Sequence, residues 1–383
     1  NFVSYQEAIC DLHLGPKRIT DKEFTGLLDY AYHLDAGKFS TFLAKHGCNN
    51  LAINHQIMTI DNVALHPDGS IHQLLAKDGK AISADFFIDC SGFTSRLLGE
   101  ALNVGFVSKS NQLLVNHAMA MQVPYTDENK EIPPYTISTA HEAGWTWDIG
   151  LSKRRGVGYV YSSNHTSHER AEEILRNYVG EEALDLTTRR IPMNVGYREK
   201  FWHKNCVAVG MSAGFVEPLE ATAIMLVEIS SRFVAEHMPA DTQVMPIVAK
   251  RFNEQMDYRW QRIIDFLKLH YMLTKRPEPY WQAHVQPETI PQSLQEDLLL
   301  WGTRGPLIQD FHGALELFPA ASYQYVLYGM GFKPDFTKQA YLYSQDAQAK
   351  QIIERNSQLT QQMLQTLPPH RAYIEQWLAA NPV

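Results

Sequence analysis

The sequence is 383 residues long, with 45% apolar and 20% charged residues, the balance of a globular protein of one or two domains. Its net charge of −8 argues against nucleic-acid binding, which needs concentrated lysine and arginine. No apolar run is long enough to span a bilayer and no secretory signal is visible, so the sequence predicts a cytoplasmic protein.

The cysteines and histidines show no ligand spacing. No CxxC pair and no HExxH motif occurs, and the cysteines lie far apart, at Cys10, Cys48, Cys90 and Cys206. We therefore predict buried free thiols and no metal site.

The first clear element is HLDAGKFSTFLAKHG (33–47), which has the pattern of a helix. Asp35 is predicted as its N-cap and Gly47 as its end. Short β-type runs follow, separated by the Asp-Gly turns of PDG (67–69) and KDGK (77–80). Asp-Gly between alternating apolar runs indicates hairpins, so this section is predicted to be a small antiparallel meander.

The run FFIDCSGF (86–93) places a buried strand before a turn that contains Ser91 and Gly92. Sheets that bind dinucleotides end in this way, because glycine lets the backbone approach the cofactor closely. Any strand followed by a tight turn would look similar, however. The GxGxxG fingerprint is absent from the sequence, and GVG (156–158) falls inside a strand pattern.

A second β-rich section covers residues 113–202 and is interrupted by a helix over 167–180. Within it, GWTWDIG (144–150) carries Trp145 and Trp147 two residues apart, so both indoles project from the same face of a strand. They could wall an aromatic or flavin pocket. The alternative is a pair of core aromatics, which is the usual role of large rings.

The segment AGFVEPLEATAI (213–224) joins an apolar strand to a helix that is predicted to run to about His237. Pro218 suits the first helical position, and Glu220 then falls in the first turn, where the helix dipole favours a carboxylate. The free N–H groups of residues 219–223 could bind a small anion. On this segment alone, ordinary helix capping is the favoured interpretation.

From Met245 the pattern becomes helical up to the C-terminus. Late in this part, Phe318 and Tyr323 lie in a stretch dense in aromatic residues, which could line a substrate pocket or fill a helical core. We predict a mixed α/β fold with two domains, residues 1–244 and residues 245–383, the second a helical module that covers the substrate.

Six segments taken in order resemble the flavin-dependent tryptophan halogenase family, from about Tyr32 to about Pro334. They are HLDAGKF, ADFFIDCSGF, GWTWDIGL, GYREKFWHKNCVAVG, AGFVEPLEATAI and DFLKLHY. GWTWDIG resembles the WxWxIP signature of the family, and VEPLEATAI resembles its PLES-type segment. The resemblance implies an FAD-binding, flavin-monooxygenase-like fold that lacks its N-terminal part here.

The resemblance also implies a chemistry. Reduced FAD from a separate flavin reductase, O2 and chloride or bromide give hypohalous acid, which halogenates a distant electron-rich aromatic such as tryptophan or another indole. Glu220 matches the catalytic glutamate, and Thr222 and Ala223 match the halide site. Met211 and Ile224 match flavin-contacting positions, and Trp145 and Trp147 match the pair that separates substrate from flavin. From the strand–turn pattern, Ser91 and Gly92 are also predicted to bind the cofactor, and from the aromatic stretch, Phe318 and Tyr323 are predicted to bind the substrate.

This sequence departs from the family pattern at several positions. Gly150 stands where the signature has proline, Ala221 and Ala223 replace serine and glycine, and Tyr323 replaces a common tryptophan. The glycine fingerprint and the catalytic lysine belong to a segment outside this chain, so we expect the chain alone not to bind FAD tightly. A flavin-dependent hydroxylase and a non-catalytic flavin-fold binding protein remain alternatives, and a homodimer is left open.

Overall fold

The structure is a computed structural model that describes residues 4–381, the side chain of Lys338 excepted. The α-helices are α1 (Gln6–Asp11), α2 (Ala36–Asn50), α3 (His168–Val179), α4 (Thr222–His237), α5 (Met245–Met272), α6 (Pro279–His284), α7 (Gln292–Arg304), α8 (Ala320–Gly329), α9 (Asp346–Thr366) and α10 (His370–Ala380). The strands are β1 (Ile60–Leu65), β2 (Ile71–Ala76), β3 (Ala81–Ser83), β4 (Phe87–Asp89), β5 (Phe106–Ser108), β6 (His117–Pro124), β7 (Ile137–His141), β8 (Gly144–Gly150), β9 (Arg154–Tyr161), β10 (Arg189–Pro192), β11 (Gly196–Arg198), β12 (Trp202–His203), β13 (Cys206–Ala208) and β14 (Gly214–Phe215).

Helix α2 begins where the sequence predicts and ends later. The side chain of Asp35 accepts a hydrogen bond from the Lys38 amide at 3.2 Å, which confirms the N-cap. The predicted end at Gly47 is wrong, because the helix continues to Asn50. Gly47 is buried against Ile53, and a Cβ at this glycine would lie 3.0 Å from Ile53 Cδ1. The glycine therefore serves close packing and not helix termination.

The predicted meander is confirmed. Strands β1, β2 and β3 form an antiparallel sheet in chain order. Gly69 and Gly79 in its two turns have φ angles of 83° and 84°, the left-handed conformation that such turns require.

The largest sheet supports the tryptophan pair. Its order is β10-β6-β9-β8-β7, and each neighbouring pair is antiparallel. Helix α3 covers one face of this sheet, where Leu175 packs with Met121 and Tyr159 in a buried cluster. Ser167 caps α3 through its hydroxyl, so this predicted helix is also confirmed.

A small sheet leads to the segment that carries Glu220. Strand β4 pairs in parallel with β13, and both end close to Asp89. The buried carboxylate of Asp89 accepts hydrogen bonds from the amides of Leu97 and Leu98 at 2.9 and 2.8 Å, which caps the turn that follows the strand. The strand at FFID is therefore confirmed, and its acidic end has a structural partner.

From Met245 to Ala380, the regular elements of the described residues are helices, as predicted. One large apolar cluster contains buried residues from both sides of position 244, among them Trp145, Val207, Trp260 and Phe266. The division of the chain into domains after residue 244 stays a prediction.

The thiols differ from expectation. All four cysteines are free, but Cys48 and Cys90 are exposed and Cys10 is half-buried, so only Cys206 fits the prediction of buried thiols.

No helix within residues 4–381 combines the length and apolar character needed to cross a membrane. Nor do three or more His, Cys, Asp or Glu side chains in that range gather in a way that could hold a metal ion.

Candidate active site

The turn before α4 has an unusual backbone. Glu220 and Ala221 have φ angles of 67° and 51°, in the left-handed region that non-glycine residues seldom adopt. The Ala221 amide donates to the Pro218 carbonyl at 3.0 Å, which closes a tight 3₁₀ turn, and α4 begins only at Thr222. The predicted helix start at Pro218 is therefore wrong, and Glu220 precedes the helix instead of lying in its first turn.

The Glu220 side chain has a specific partner on α5. Its Oε1 lies 3.1 Å from Nε2 of His270, and the two side chains are 35% and 22% exposed. The other ring nitrogen of His270, Nδ1, lies 2.9 Å from the Phe266 carbonyl oxygen. The sequence analysis missed His270, although this histidine stands in the DFLKLHY segment. No local signal in the sequence links it to Glu220.

The other glutamate of the segment, Glu217, is buried with 2% of its surface exposed. Its Oε2 accepts a hydrogen bond from Trp145 Nε1 at 2.7 Å and a second one from the Tyr271 hydroxyl. Burial raises the pKa of Glu217, although both hydrogen bonds oppose this shift. Sequence reasoning missed this residue as well, and its position in the apolar run FVEP is the signal that could have found it.

The tryptophan pair lies on β8 as predicted. Trp145 is 5% exposed and belongs to the main core, while Trp147 is half-buried against the same core. Trp147 pairs across the sheet with Gly158 of β9, and its indole occupies the space that a side chain at Gly158 would need. Trp145 therefore faces Glu217, and Trp147 lies over a glycine that makes room for it.

A buried amine lies two residues before His270 on α5. Lys268 is fully buried, and its Nζ bonds to Thr289 Oγ1 at 2.9 Å, to the Gln112 carbonyl oxygen at 3.1 Å and to His284 Nδ1 at 3.1 Å. Burial lowers the pKa of Lys268 to about 7. Burial also lowers the pKa of His284 well below its usual value, so this imidazole is a neutral acceptor for the amine.

Of the predicted flavin contacts, Met211 lines a cavity of about 430 Å³, together with Phe93, Phe215 and Arg198. Gly92 is adjacent, because a Cβ on this glycine would lie 3.9 Å from Met211 Cε. The Nε atom of Arg198 is buried without a hydrogen-bond partner among the described residues. The cavity is therefore lined by aromatic and apolar side chains and one arginine.

Two other predicted flavin contacts lie elsewhere. Ile224 projects from the first turn of α4 and is 67% exposed. The Ser91 hydroxyl bonds to Asp89 Oδ1 at 2.6 Å and accepts the Arg96 amide at 2.6 Å, so it stabilises the turn after β4. Neither residue lines the cavity beside Met211.

The predicted halide positions lie at the start of α4. Thr222 is buried, Ala223 is exposed, and they are the first two residues of the helix. The first amides of a helix have no carbonyl partner within it and lie at the positive end of the helix dipole. This position therefore suits a small anion beside Glu220.

The predicted substrate contacts, Phe318 and Tyr323, are core residues. Phe318 stacks on Phe266 with ring centroids 4.0 Å apart. Tyr323 is fully buried, and its hydroxyl accepts a hydrogen bond from Arg262 at 3.2 Å. The Phe266 ring also packs against the His270 ring in a T-shaped contact. The aromatic cluster therefore extends to the side chain that contacts Glu220.

Comparison with known proteins gives one consistent result. The tryptophan halogenase family model matches residues 4–345. A tryptophan halogenase structure from Shewanella frigidimarina has a TM-score of 0.91 at 40% identity, over 98% of this chain and 72% of that chain. BrvH, a flavin-dependent halogenase from a Brevundimonas species, has a TM-score of 0.86 at 30% identity, over 98% of this chain and 75% of that one.

Among curated relatives, the tryptophan 6-halogenase SttH of Streptomyces toxytricini is 35% identical over 318 residues. That match covers 82% of this chain but 60% of the relative, so the chain spans less than two thirds of its length. Together with the mixed α/β fold, these matches confirm the family resemblance that the sequence motifs indicated. The chain belongs to the tryptophan halogenase family.

Proposed function

We propose that the protein is an FAD-dependent halogenase that acts on an electron-rich aromatic compound, tryptophan or another indole. The observation that carries the proposal is the position of Glu220. Glu220 lies two residues before Thr222, the first residue of α4, and its carboxylate contacts His270 on α5. An acid, an anion site and a partner for the acid therefore lie together at one helix start.

The cavity beside Met211 supports flavin binding. Phe93, Met211 and Phe215 form apolar walls, and Arg198 contributes a positively charged side chain to the lining. Bound reduced FAD would supply, with O2 and a halide ion, the hypohalous acid for the reaction. The chain's residues would hold the ring, and the amides of Thr222 and Ala223 would hold the halide.

Glu220 is proposed to receive the proton that the aromatic ring loses when a halogen replaces it. General-base catalysis of this kind contributes typically about 10²–10⁴-fold to a rate. Lys268 is not assigned to the family's lysine role, because its amine is fully enclosed and already has three partners. A separate flavin reductase, a cytoplasmic location and a homodimer complete the proposal.

The test is incubation of the full-length protein with reduced FAD, O2, chloride or bromide and a panel of indoles and phenols. Mass spectrometry should show a product with the isotope pattern of the added halogen, and none when halide is omitted. A product that gains one oxygen without halogen would support a hydroxylase. The absence of any product, with flavin bound, would support a non-catalytic binding protein.

A further inference from the structure

Glu217 is a buried carboxyl group placed between two functional segments. It lies three residues before Glu220, and its Oε2 bonds to Trp145 on β8 and to Tyr271 on α5. The second oxygen, Oε1, is buried and has no hydrogen-bond partner among the described residues. A single side chain thus connects the tryptophan strand, the turn before α4 and helix α5.

Placing a carboxyl group here has a physical cost. Burial of a carboxylate is unfavourable unless hydrogen bonds and nearby positive charges compensate. Here Tyr271 and Trp145 supply the hydrogen bonds, while the charges of His270 and Lys268 also favour the ionised form. Burial raises the pKa values of the Tyr271 and Tyr280 hydroxyls, and the nearby Glu217 raises them further. An apolar residue would avoid this cost, but it could not hold both donors.

The backbone that follows Glu217 needs such an anchor. Left-handed φ angles are strained for residues other than glycine, so those at Glu220 and Ala221 persist only where surrounding contacts fix them. Helix α5 supplies contacts at both ends of the turn. Its consecutive residues His270 and Tyr271 bond to Glu220 and Glu217, respectively. The position of Glu220 therefore depends on the buried contact of Glu217.

We propose that Glu217 is a positioning residue of the halogenation site. It orients the Trp145 indole and fixes residues 217–222, so that Glu220 and the first amides of α4 keep their places. This inference rests on the proposed halogenase function and adds to it a residue that does not itself touch the substrate.

The activity test uses the full-length, flavin-loaded protein with the substitution Glu217→Gln, which keeps the shape of the side chain and replaces one carboxyl oxygen with an NH2 group. We expect kcat for halogenation to fall about tenfold or more, with unchanged flavin binding and less product per reduced flavin oxidised. The matched control is Glu236→Gln on the following helix α4, where the exposed carboxylate pairs with Arg232. This control should keep the wild-type turnover rate and the wild-type coupling, that is, the amount of product formed per reduced flavin oxidised.

A double-variant cycle separates positioning from general destabilisation. If Glu217 acts through Trp145, the Trp145→Phe and Glu217→Gln changes together should cost no more than the larger single loss. If the double variant instead lost activity by the product of the two single-variant factors, the proposal would be overturned. Where Glu217→Gln does not fold, Tyr271→Phe replaces it, because this change keeps the carboxylate and removes one donor. The expected loss is then about threefold or more, and unchanged turnover and coupling would overturn the proposal.

A second readout does not depend on activity. The protein has seven tryptophans, and the indole ¹⁵N–¹H signal of Trp145 is assigned by its loss in Trp145→Phe. This signal should shift in Glu217→Gln and stay in place in Glu236→Gln. An unchanged signal would contradict the positioning role even if the enzyme halogenates. Failure of the wild-type protein to halogenate would instead refute the proposed function, while the signal would still report on Glu217.

Discussion

The imidazole Nε2 of His270 lies 3.1 Å from the carboxylate Oε1 of Glu220, although 50 residues separate them in the chain. The contact between Nδ1 of the same ring and the Phe266 carbonyl requires a proton on Nδ1, because a carbonyl oxygen can only accept. The contact with Glu220 therefore needs a further proton, either on the ring or on the carboxyl group. His270 and Glu220 form a proton-sharing pair that holds the proposed base in place.

This pair gives a prediction for His270. We expect His270→Phe to lower halogenation by the full-length protein roughly ten- to hundred-fold, because it removes a hydrogen bond to a charged group worth about 1.5–3 kcal/mol. His270→Gln retains an N–H donor and should keep more activity. The measurement is the initial rate of halogenated product by mass spectrometry. Equal losses in both variants would show that the donor to Glu220 is unimportant.

Glu220 itself gives a second prediction. Glu220→Gln should remove most halogenation, by about 10²–10⁴-fold, because an amide cannot accept the proton of the aromatic ring. Flavin binding should persist, since the predicted flavin contact Met211 lines a cavity that does not include Glu220. Product formation and flavin titration are measured on the same preparation. Unchanged turnover would remove the catalytic role assigned to Glu220.

Local patterns predicted much of this fold correctly. The Asp-Gly turns at Gly69 and Gly79 require left-handed glycines, so the meander could be read from the sequence. The two-residue spacing of Trp145 and Trp147 placed both on one face of β8. The role of Gly47 could not be predicted, because a glycine used for packing looks the same in sequence as one that ends a helix.

The centre of the candidate site could not be predicted in this way. Glu217 meets Trp145 and Tyr271 across separations of 72 and 54 residues, which only the packing of β8 and α5 establishes. The left-handed Glu220 and Ala221 carry no glycine or asparagine signal. Family motifs therefore located the segment, and tertiary contacts determined which of its two glutamates is buried.

Lys268 gives a prediction about pH. Its pKa is about 7 in the folded protein, against an ordinary value of 10.5, so between these values the unfolded chain binds one proton more than the folded protein does. The stabilisation by the neutral amine should therefore be fully present above the pKa of Lys268 in the unfolded chain. It should be lost as pH falls towards 7. Within this window the slope is about 1.4 kcal/mol per pH unit.

The measurement is the free energy of unfolding of the wild type and of Lys268→Met, between pH 7 and pH 9. Methionine fills a similar volume and does not titrate, so the stability of Lys268→Met should lack this dependence on pH. The difference in unfolding free energy should shift in favour of the wild type as pH rises, since only the wild type gains from the neutral amine. Parallel curves for the two proteins would contradict the lowered pKa.

Gly158 gives a prediction about packing beneath Trp147. A Cβ added to Gly158 would lie 2.1 Å from Cζ2 of the Trp147 indole, so the ring must move. We expect Gly158→Ala to destabilise the protein by about 1–3 kcal/mol, the usual cost of overpacking, and to change Trp147 fluorescence. Gly156→Ala is the matched control on the same strand, because its Cβ would meet only Arg154 Nη1, at 3.8 Å. Denaturant unfolding of both variants tests this, and equal stabilities would show that the indole is free to move.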